Sequence, residues 1–65
     1  MKDYGKPLRK ILTEAGCRFL RGGRGDHEIW TSPHRPKPFT VPVTIPSRHL
    51  ANKILTKDAG LPKAF

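Results

Sequence analysis

The sequence holds a single cysteine, only five acidic residues and no long apolar run, and each scarcity excludes something. Cys17 alone makes no internal disulfide, so the chain suits a reducing compartment, and its apolar neighbours mark it as a buried, inert thiol. The start, Met1-Lys2-Asp3-Tyr4-Gly5, lacks an apolar signal core, and no stretch approaches the length of a membrane span. A cytoplasmic protein with no membrane partner is the expectation. Cys17, His27, His34 and His49 lack the paired short spacings of zinc ligands, so neither a metal nor a cofactor is expected. At 65 residues the chain is read as one domain over residues 1–65, with a thin core and no depth for an enclosed pocket. Any site should lie open on a surface.

What is abundant is positive charge. Thirteen Lys and Arg against five Asp and Glu leave a formal net charge of +8. The cations run from Lys2 to Lys63 rather than forming a tail, as suits a folded module whose partner is nucleic acid or an acidic protein.

Pro7 to Ala15 carries Leu8, Ile11, Leu12 and Ala15 at helical spacing, with Gly16 placed to end the helix. Cys17 to Arg21 reads as a first strand, Asp26 to Ser32 as a second, and Phe39 to Val43 as a third. In the third, Phe39, Val41 and Val43 alternate inward, and Pro42 argues for a sheet edge. Ser47 caps a second helix from about Arg48 to Ala59, with Leu50, Ile54 and Leu55 on its apolar side and Leu61 beyond. The order α-β-β-β-α predicts an α+β fold: a three-stranded antiparallel sheet with both helices on one face and the other face open.

The chemistry concentrates in Gly22-Gly23-Arg24-Gly25-Asp26-His27-Glu28-Ile29-Trp30. A glycine-rich turn delivers a histidine onto a strand, where alternation sets His27, Ile29 and Thr31 against Glu28, Trp30 and Ser32. Trp30 is the natural core anchor, so His27 faces away from the core. An imidazole exchanges protons near neutral pH, and Arg18, Arg21 and Arg24 are candidates to hold phosphate around it. Asp26 either orients the imidazole or stabilises the turn. Arg48, Lys53 and Lys57 give the second helix a basic side that fits an RNA backbone, while His34 and His49 are further candidate proton carriers.

Gly25-Asp26-His27, Thr40-Val41-Pro42-Val43 and the helix ending Ile54-Leu55-xxx-Ala59-Gly60-Leu61 resemble, in order and spacing, the HicA family of bacterial toxins, over about Leu8 to Leu61. The resemblance implies a double-stranded-RNA-binding-domain-like fold and a ribosome-independent endoribonuclease (mRNA interferase) that needs no metal. It also implies a HicB-type antitoxin partner that covers the active site, and it maps the family's catalytic histidine onto His27. Glu28 stands where many members carry a second histidine, which removes that role from position 28. Two other functions share these features: an RNA-binding module of the same fold that does not cut, and a protein-interaction domain whose charge serves an acidic partner.

Overall fold

A computed structural model describes residues 3–65. Leu8 and Leu12, one helical turn apart, are fully buried and give α1, Gly5–Glu14, its inner stripe; Ile11 is half-buried beside them. The helix begins two residues earlier than Pro7, because Asp3 supplies an acceptor there. Gly5 N donates to Asp3 Oδ1 at 2.8 Å, and Ile45 N donates to the same oxygen at 2.9 Å. Its far end closes on Gly16, at φ +93°, with Cys17 N donating to Leu12 O and Gly16 N to Thr13 O.

These two amide donors, first Ile45 and then Gly5, hold the Asp3 carboxyl below its usual value of 3.8, with Arg9 and Lys6 helping and partial desolvation opposing. A carboxyl with a depressed folded-state pKa stabilises the fold above its unfolded pKa, and that stabilisation is lost as pH falls through the folded value. Asp3→Asn should therefore lower the thermal midpoint at neutral pH, and the gap to wild type should close as pH drops below 3.8. Melting curves across that range check it; a gap that persists in acid contradicts it.

Three antiparallel strands follow: β1, Arg18–Gly22; β2, His27–Thr31; β3, Phe39–Pro42, in the order β1-β2-β3. Trp30 pairs with Phe39 and Glu28 with Val41, so the buried Trp30, Phe39 and Val41 share one face. Leu8 and Leu12 of α1 join that face in one cluster with Ala51, Ile54 and Leu55 from the second helix. The opposite face carries His27, Ile29 and Thr31 from β2 and Thr40 and Pro42 from β3. Pro42 does lie in an edge strand. Val43 N donates inward to Asp26 O at 2.7 Å, which turns the nitrogen of Pro42 outward, where its missing N–H costs no ladder bond.

The second helix is capped by Ser47, whose Oγ accepts from Leu50 N at 3.3 Å. It is α-helical only over Arg48–Lys53 (α2) and continues as a π-helical turn over Ile54–Asp58, closed by Ala59 N donating to Ile54 O.

Two inward assignments made from the sequence, Leu50 and Val43, are corrected, and one strand residue proves irregular. Leu50 is 38% exposed, because Ala51, Ile54 and Leu55 form the i, i+3, i+4 set that meets the sheet, and Leu50 sits about 100° round the helix from Ala51. Val43 is 38% exposed, since the strand ends at Pro42 and the chain turns to bury Ile45 instead. Leu20 does not pair in the sheet. Phe19 pairs with Trp30 and Arg21 with Ile29, leaving Leu20 as the extra residue of a β-bulge. The strand limits also shift: Cys17, Asp26, Ser32 and Val43 lie just outside the ladders.

Candidate active site on the open sheet face

His27 enters β2 from a turn built by Gly23, Arg24, Gly25 and Asp26. Gly25 adopts φ +61°, a conformation costly to any residue with a Cβ. Gly23 is needed for closeness rather than for φ, since a Cβ there would stand 3.0 Å from His27 O. Gly23 N donates to that oxygen at 2.8 Å, and His27 N donates to Arg24 O at 3.3 Å. With Val43 N bound to Asp26 O, the main chain around His27 is tied on both sides.

The imidazole is exposed, and its Nδ1 lies 3.1 Å from Arg24 O. A carbonyl oxygen only accepts, so this bond requires a proton on Nδ1 and leaves Nε2 with the lone pair in the neutral ring. Nε2 is thus the atom offered for proton transfer. The orienting partner is the Arg24 carbonyl, and not the carboxylate of Asp26, which stands exposed in the turn.

The bulge decides which arginine stands near this ring. Strict alternation from Arg18 turns Leu20 to the open face and Arg21 to the core side. The extra residue reverses this, and Arg21 pairs with Ile29. Ile29 and His27 share a face, so Arg21 and His27 are diagonal cross-strand neighbours, about 7–8 Å apart at the backbone and within reach of a long side chain. Arg18 pairs with Thr31 on the same face, four residues along β2 and roughly 13 Å from His27. Arg24 is exposed in the turn itself. Thr40, paired with Ile29, is also diagonal to His27 and presents an exposed hydroxyl-bearing side chain on this face. Neither the Arg24 carbonyl nor Thr40 was singled out by sequence reasoning; the alternation of Phe39 and Val41 was the signal for Thr40.

The other expected contacts are not gathered here. Arg48, Lys53 and Lys57 are exposed on the helical layer, across the sheet from His27. Arg48 lies five residues before Lys53, about 140° round the helix from it, so the three cations do not form one straight stripe. His49 also belongs to that layer, and His34 lies in the loop beyond the far end of β2. Glu28 has a structural partner: its carboxylate accepts from Trp30 Nε1 at 2.9 Å on the core side. His27 therefore stands with Arg21, Arg24 and Thr40, without a second histidine.

No helix among the described residues is long and apolar enough to cross a membrane. Comparison with curated proteins and with solved structures finds no match in either. A family model described as the HicA toxin of bacterial toxin–antitoxin systems matches residues 5–61, a span that contains both helices, all three strands and the His27 turn. By that match the chain belongs to the HicA toxin family.

Proposed function

We propose that this toxin is a metal-independent endoribonuclease that cleaves messenger RNA through His27. The observation that carries the reading is the Nδ1 bond to Arg24 O, which in the neutral ring leaves the lone pair on Nε2 of an exposed imidazole. RNA brings its own nucleophile. Nε2 takes the proton from a ribose 2′-hydroxyl, whose oxygen attacks the adjacent phosphorus; the bond to the 5′-oxygen breaks, that oxygen takes a proton from water, and the imidazolium returns its proton to solvent, giving a 2′,3′-cyclic phosphate and a 5′-hydroxyl. Arg21 supplies charge to the phosphorane, with Arg24 beside it and Arg18 further along the RNA path. Arg48, Lys53 and Lys57 hold backbone beyond the reacting bond.

Two consequences are measurable. Arg21→Gln should lower kcat/KM by about 10²-fold, a loss typical of one oxyanion donor, whereas Arg18→Gln should cost far less. Equal losses from the two variants would contradict the role given to the bulge. Incubated with long unstructured RNA in a chelator, the purified protein should cut it. Binding without cutting would instead favour a non-catalytic RNA-binding module.

A protein partner is part of this reading. Leu20 is 52% exposed at the bulge of the outer strand β1, between Arg18 and Arg21. An apolar side chain between two cations suits an acidic, HicB-type antitoxin that shields the RNA-facing surface. Expressed alone the chain should arrest growth, and beside its antitoxin it should be tolerated.

A further inference from the structure

At the other end of the sheet, the loop of residues 33–38 leans against the end of the π-helical turn and leaves an open groove of about 330 Å³. Arg35, Lys37 and Lys57 line it, opposed by one carboxylate, Asp58, with Pro38 and Phe39 as apolar wall. We propose that this groove is a second RNA-binding site, holding one nucleotide of a single strand away from the cleaved bond. The proposal rests on the ribonucleolytic reading for its substrate class; it shares Lys57 with the helical cations of that reading and adds Arg35, Lys37 and the proline-rich loop.

The groove is built rather than incidental. Pro33, Pro36 and Pro38 restrict the loop's backbone. The buried Ser32 Oγ donates to Ala59 O at 2.8 Å and accepts from His34 N at 3.1 Å, clamping the loop's base to the helix end. Arg35 N donates to Ser32 O, and its guanidinium lies along Gly60 with Nη2 3.5 Å from Thr56 O. A guanidinium carries five donors, so others remain for a phosphate. Among the described residues, the ammonium groups of Lys37 and Lys57 have no hydrogen-bond or ion-pair partner. The loop's base and Arg35 are thus held before ligand arrives, which lowers the entropic cost of binding.

Chemistry favours a nucleotide. The cations suit phosphate, the apolar rings of Pro36 and Pro38 suit the face of a base, and Asp58 offers an acceptor for a base amino group. The volume sits at the lower end of small-ligand sites, large enough for a nucleotide. Position adds an argument about length. Phe39 pairs with Trp30 and Pro42 with His27, so the groove lies about 10 Å along the strands from the imidazole, on the helical side. Only an RNA several nucleotides long reaches both.

The test uses the Lys37→Gln/Lys57→Gln double variant and a 2′-O-methyl RNA of about twelve nucleotides, which the proposed chemistry does not cut. At roughly 0.1 M salt its affinity should fall about tenfold, and the slope of log K against log salt should become shallower by about 1.4, two phosphates' worth for a single strand. Lys37→Arg/Lys57→Arg should restore both. Unchanged affinity and slope would overturn the groove while leaving the nuclease reading intact. Intact RNA binding with weakened antitoxin binding would overturn it in favour of an acidic protein ligand. If the variant shows the expected loss but wild type leaves the ribose form of the same RNA uncut, the groove stands and the nuclease reading fails.

Discussion

Replacing His27 with alanine should lower RNA cleavage by roughly 10²–10⁴-fold, the usual contribution of a positioned acid–base group. The circular dichroism spectrum should stay native, because the ring is exposed and exposed substitutions usually shift stability by no more than about 0.5 kcal/mol. His27→Asn sharpens the result. Its amide nitrogen can still donate toward Arg24 O, but it carries no exchangeable lone pair at the Nε2 position. Both variants should be inactive if proton transfer is the role, whereas recovery of activity by the asparagine would assign His27 to positioning alone. Full activity in the alanine variant would remove His27 from the chemistry.

The largest effect on stability is expected at Trp30. The indole is only 6% exposed, meets Phe19 edge-on at 6.1 Å between ring centroids, pairs across β2 and β3 with Phe39, and anchors Glu28 through Nε1. Truncating such a side chain costs about 3–5 kcal/mol. A single core of this size rarely supplies more than about 3–5 kcal/mol in total. Trp30→Ala should therefore be largely unfolded at 37 °C, while Trp30→Phe keeps most of the buried area, loses the bond to Glu28 and melts between the two. Urea titration followed by far-UV circular dichroism measures this; a cooperative, wild-type-like transition in Trp30→Ala would show that the core rests elsewhere. The position also matters for function, because Trp30 pointing inward is what turns His27 outward.

Much of this was legible because local and global preferences agree. Leu8 and Leu12 declare one face of α1, Ser47 declares the start of α2, and the alternation around Trp30 settles the side on which His27 stands. The failures have physical causes. Leu50 and Ala51 both fit a helical stripe with Ile54, and size favours leucine, but Ala51 is the one that joins Ile54 and Leu55 in the core, which leaves Leu50 on the exposed side. Val43 continues a period-two pattern that ends where its own N–H is drawn to Asp26 O. The bulge at Leu20 leaves no mark in the pattern of Phe19, Leu20 and Arg21, yet it moves an arginine to the imidazole's side of the sheet. The orienting group of that imidazole is main chain, and a carbonyl has no signature in a sequence.

In the proposed mechanism an imidazole held by the Arg24 carbonyl takes a proton from RNA's own 2′-hydroxyl. The most direct test gives the purified chain, in excess chelator, two oligonucleotides of identical base sequence, one with ribose and one 2′-O-methylated throughout, and identifies the ends formed. Cleavage of the ribose strand alone is expected, leaving a 2′,3′-cyclic phosphate and a 5′-hydroxyl. Cutting of the methylated strand, or cutting that returns only when a divalent metal is restored, would contradict it.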